Sequence, residues 1–76
     1  MRLIKINTTA FEEENFYLMT TLSDEQIEKV IKPIVEDERN GGEFYDNDGL
    51  TWALKDAYPN EEVEMYSDVS IETLSI

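Results

Sequence analysis

The chain contains no cysteine and no histidine. Without cysteine there is no disulfide, no thiol nucleophile and no thiolate metal ligand. Without histidine, the commonest general base at neutral pH and the commonest metal ligand are also missing. Glycine and proline are scarce, at three and two residues. Gly41-Gly42 and Gly49 lack the lysine and the spacing of a phosphate-cradling loop. No apolar run approaches the roughly 18 residues of a membrane span. Basic residues are the remaining shortage: six Lys and Arg stand against 18 Asp and Glu, for a net charge of −12.

These absences point away from catalysis. Carboxylate pairs perform glycosidase and metal-assisted phosphoryl chemistry, but among so many acids proximity alone is uninformative. No enzyme activity, cofactor or metal site is expected. The acidity itself exceeds what solubility requires of a small domain. It repels nucleic acid and anionic membrane and favours a basic protein surface as partner.

At 76 residues the chain has room for one domain spanning 1–76, with a single modest core. Domains of this size bury only about 60% of the surface their unfolded chains expose. With neither disulfide nor zinc available, that core has to suffice alone or with a partner's help. The first seven residues alternate in polarity and acids follow at Glu12-Glu13-Glu14, so no signal-peptide apolar region is legible and a cytoplasmic location is expected.

Hydrophobic periodicity parses the chain. Residues 2–7, with Ile4 and Ile6 on one side, and residues 16–21 read as strands, paired antiparallel through an acidic loop at Glu12 to Asn15. Ser23 followed by Gln26 is a capping box, and Leu22 is placed to staple onto Ile27. Ile27, Val30, Ile31, Ile34 and Val35 then form one buried helical stripe that ends before Gly41-Gly42. Pro33 interrupts this helix and predicts a kink, or a break near Lys32. Asp46-Asn47-Asp48 caps a second helix whose stripe is Leu50, Ala53, Leu54, Ala57 and Tyr58. From Val63 the period becomes two, giving one long strand or a hairpin turning at Ser67-Asp68, with Val63, Met65, Val69 and Ile71 on the inner side. The expected fold is α+β in the order ββααβ(β): a small antiparallel sheet of three or four strands with both helices on one face.

Charge placement says more than charge count. Residues 1–39 hold nine acids and five bases, whereas residues 40–76 hold nine acids and a single base, Lys55. On the first helix Glu25 and Lys29, and Glu28 and Lys32, stand four apart in the favourable order, with Glu36 near Arg39, so that face largely cancels itself. On a continuous last strand, Glu62, Glu64, Tyr66, Asp68 and Glu72 would project together, spaced about 6.8 Å per two residues. Such a row mimics a phosphate backbone to a protein built to bind nucleic acid. The plainer reading is the polar outer face of a one-sided sheet.

Two further features bear on binding. Asp46, Asp48 and Gly49 follow the order of a calcium loop, but the alignment puts Phe44 and Lys55 where acidic ligands belong, which favours helix capping instead. Trp52 projects about 160° from Leu50, onto the polar face with Asp48, Lys55 and Asp56. An exposed Trp rimmed by charge is a strong interface anchor, unless the loop carrying Phe11, or Phe44, covers it. The expected partner-binding set is therefore Trp52, Asp48, Asp56, Glu62, Glu64, Tyr66, Asp68 and Glu72. In size, charge and missing catalytic residues the chain is similar to phage and mobile-element inhibitors of host nucleic-acid enzymes, such as anti-restriction and anti-CRISPR proteins. That similarity is one of composition and not of motif. The alternative is a structural or assembly module, including a homodimer, with a hydrophobic interface around Trp52 and a free strand edge.

Overall fold

The computed structural model describes residues 1–8, 16–43, 45–66 and 72–76. The elements run β1 (Arg2–Asn7), β2 (Phe16–Thr20), α1 (Asp24–Arg39), α2 (Asn47–Ala57), β3 (Val63–Tyr66) and β4 (Glu72–Ser75). Four strands form one sheet in the order β3-β2-β1-β4. The expected loop at 12–15 and turn at 67–68 lie outside the described residues, as do Phe11, Phe44, Asp68, Val69 and Ile71. Among the described residues no helix is long and apolar enough to cross a membrane.

The sheet is mixed, which corrects the antiparallel expectation. β1 pairs antiparallel with β2 and β2 with β3, but β4 runs parallel to β1, with Ile4 opposite Glu72 and Ile6 opposite Leu74. The last two strands are therefore neither one strand nor a hairpin: β3 and β4 occupy opposite edges. Polarity alternation reports only which side chains face inward and carries no information on strand neighbours.

Pairing at both edges follows from named groups. Thr20 is fully buried, yet its hydroxyl donates to the Glu62 carbonyl at 2.6 Å and accepts from the Leu22 amide at 3.0 Å. The Thr21 amide donates to the same carbonyl, and its hydroxyl accepts from the Glu62 amide while donating to the Glu61 carboxylate. This threonine pair fixes where β3 starts. On the other edge, the Ile76 amide continues the β1–β4 ladder onto the Asn7 carbonyl at 2.8 Å.

Arg2 ties the β4 edge to the first helix. Its guanidinium contacts Asp24 and Glu72 at 2.6 Å each, and its Nε donates to the Leu22 carbonyl at 3.1 Å. Burial opposes the charge on this half-buried group, but the hydrogen bonds to Asp24 and Glu72 outweigh it and hold the arginine above its ordinary pKa.

Helix α1 begins as its capping box specifies, with the Ser23 side chain accepting from the Gln26 amide and the Gln26 side chain accepting from the Ser23 amide. Ile27, Ile31 and Val35 are buried, with Val30 and Ile34 packed at the margin. The helix runs unbroken through Pro33, so the break near Lys32 does not occur. Pro33 is on the exposed side, where water can satisfy the carbonyl its ring leaves unbonded. At the C-terminus Gly41 adopts φ 86°, its amide bonds Glu38 and the Gly42 amide bonds the Asp37 carbonyl. This left-handed cap closes the last turn, and only glycine enters it without strain.

Helix α2 is capped by Asp46, whose carboxylate accepts from the Gly49 amide at 2.8 Å. Leu50, Thr51 and Leu54 are its buried residues. Of the expected stripe, Ala53 and Tyr58 are only partly buried and Ala57 is exposed, whereas Thr51, which was not in it, is buried. Its hydroxyl donates to the Asn47 carbonyl one turn back, so it enters the interior already satisfied. Both helices join Ile4, Ile6, Phe16, Leu18, Val63 and Leu74 in one core, so both pack on the same face of the sheet.

Candidate binding surface

Trp52 stands out from α2 with 70% of its surface exposed. Leu50 and Leu54 point into the core on either side of it in sequence, which forces position 52 outward. The two proposed covers, the loop carrying Phe11 and Phe44 itself, lie outside the described residues. A shallow hollow beside it is lined by Tyr45, Gly49, Ala53 and Asp56. The Lys55 ammonium lies 5.7 Å from the centre of the indole ring, within cation–π range.

Lys55 links Trp52 to the acidic edge. The same residue lines a second hollow, of about 430 Å³, with Pro59, Glu61, Glu62, Val63 and Glu64. Lys55 thus both faces the indole and lines the hollow at the start of β3. Lys55 is the lone base of residues 40–76, and its ammonium is held over Trp52. The threonine pair at the end of β2 holds Glu61 and Glu62 in place, a function that nothing in the local sequence announces.

The structure divides the expected binding set. Trp52 and Asp56 line one hollow, while Glu62 and Glu64 line the hollow joined to it by Lys55. Asp48 is exposed in the first turn of α2, beyond the residues that line either hollow. Tyr66 is 47% exposed and lies opposite Tyr17 in the β2–β3 register. Glu72 is on the far edge of the sheet and in register with Ile4, which places it on the helix side, whereas Glu64 and Tyr66 point the other way. It is also bound to Arg2. The expected single row of carboxylates is thereby corrected: its ends lie on different edges and different faces, and one is neutralised. Lys5, on β1, is separated from β3 by β2, and its ammonium sits 5.9 Å from the Tyr17 ring centre.

Asp46 and Gly49, candidates for a calcium loop, are engaged in the α2 cap. Among the described residues no three acids converge as a metal site. No family model, curated protein or solved structure matches this chain.

Proposed function

We propose that this protein is a small acidic binding module that docks on a basic protein surface through the corner formed by α2 and β3. The carrying observation is an indole left 70% exposed between the buried Leu50 and Leu54, with Lys55 over its ring and lining the hollow that Glu61, Glu62 and Glu64 also line. An exposed Trp covers a large apolar area with little loss of side-chain freedom, and surrounding carboxylates select for Arg and Lys while steering encounter. Surfaces built to hold DNA or RNA carry such cations in quantity, so a nucleic-acid-binding protein is the partner class that fits best, with the module acting as an inhibitor. Direct binding to nucleic acid or membrane is opposed by the net charge of −12. Binding instead of catalysis is supported by a residue inventory without His or Cys.

The test is association with a panel of purified nucleases and polymerases at rising salt. Trp52→Ala should abolish binding, and a Glu62→Gln/Glu64→Gln double variant should weaken it and flatten its salt dependence. Binding indifferent to both variants would sink the proposal. Hydrophobic self-assembly is the second reading, favoured by the exposure of Trp52. A dimer in sedimentation that Trp52→Ala dissociates would select it, although like charge on two copies works against association.

A further inference from the structure

Among the described residues β3 has no strand beyond it in the sheet, and this outer edge carries a more specific device. The bond from the Thr21 amide to the Glu62 carbonyl sets the phase of the β2–β3 ladder. In an antiparallel pair, bonded and non-bonded residues alternate. Glu64 opposite Met19 and Tyr66 opposite Tyr17 are therefore bonded inward, which turns the main-chain N–H and C=O of Val63 and Met65 out of the sheet. Along this edge lies the open hollow that Val63 lines with Glu62 and Glu64. Met65, on the helix side with Val63, remains 47% exposed although its register partner Leu18 is fully buried.

We infer that β3 accepts an added strand from the partner, an extended segment in which basic residues alternate with apolar ones. This deepens the proposed function and rests on it. The alternation follows from the pleat. Residues of the incoming strand on the side of Glu62, Glu64 and Tyr66 meet carboxylates and a ring face, and match them with Lys or Arg about 5 Å away. Residues on the other side meet Met65 and Val63 and match them with apolar groups. A second copy of this chain fits poorly, because β3 against β3 would set Glu62 and Glu64 of one copy beside those of the other. Edge strands are commonly blunted by shortness and charge. Here the blunting charges are all of one sign, which excludes most strands and admits a basic one.

The experiment uses the full chain and a synthetic eight-residue peptide alternating Lys and Val, with a Glu/Val peptide as control and amide chemical shifts as readout. The Lys/Val peptide should shift the Val63 and Met65 amides most, and the Glu/Val peptide should not bind. Met65→Pro removes an outward donor and leaves the inward ladder intact, and should weaken the Lys/Val peptide by about tenfold or more. Should that variant fail to fold, a Lys/Val peptide N-methylated at alternate amides tests the same point on the unaltered chain and should also lose about tenfold or more. Equal binding after Met65→Pro or N-methylation, shifts centred on β4, or no binding of the Lys/Val peptide would each overturn strand addition. The broader proposal is decided separately, by Trp52→Ala against the intact enzymes, so the two can fail independently.

Discussion

Replacing Arg2 with Met probes the feature that local sequence reading missed, the attachment of β4. The thioether retains an apolar stem of similar reach while three polar contacts disappear. Asp24 and Glu72 are about half exposed, with side chains 55% and 48% accessible, so each ion pair belongs at the weak end of surface pairs, about 0.3–0.7 kcal/mol. The hydrogen bond to the Leu22 carbonyl adds about 1 kcal/mol. The expected loss is about 2 kcal/mol, which in a domain of this length lowers the Tm by roughly 8–16 °C. Urea unfolding followed by circular dichroism measures the total, and hydrogen exchange locates it. The amides of β4 should lose protection before those of α2, because the ion pairs of Arg2 bridge β4 to the start of α1. Raising salt to 1 M, where the Debye length is about 3 Å, should narrow the gap between the two proteins. Arginine is charged below its pKa, and here that pKa is raised, so its contribution is lost only as pH rises through a strongly alkaline value. The gap should accordingly be flat from neutral to mildly alkaline pH. A loss under about 0.5 kcal/mol, or one with β4 protection unchanged, would refute the assignment of Arg2 as the clasp of this edge.

Two changes test the first helix. Ser23→Ala removes the hydroxyl that accepts from the Gln26 amide and should cost about 1 kcal/mol in urea unfolding; an unchanged midpoint would show that water replaces the cap fully. Pro33→Ala restores a main-chain donor on an exposed face of an unbroken helix and should stabilise the protein by about 1–3 kcal/mol, read as a higher Tm. Destabilisation there would mean that the proline ring makes packing contacts that matter more than the lost hydrogen bond.

Much of the architecture is legible in one dimension because its causes are local. The capping box at Ser23 and Gln26, the three-and-four spacing from Ile27 to Val35 and the cap at Asp46 are each satisfied within a few residues. The outward direction of Trp52 follows from helical geometry once Leu50 and Leu54 are known to be inside. Thr51 shows the limit of that reasoning: a polar residue is admitted to the interior because the turn before it supplies an acceptor.

By itself, then, the sequence determined the net charge, the chemistries excluded by the absence of His and Cys, the helix boundaries and the inner faces of β1, β2 and α1. Tertiary structure alone decided which strands are neighbours, because the same alternation suits a hairpin, a single strand or two separated edges. The outcome depended on contacts between residues 40 to 70 positions apart, Thr20 with Glu62 and Arg2 with Glu72. Those contacts split the acidic row, tied one end of it to an arginine and left Glu62 and Glu64 on a hollow shared with Lys55.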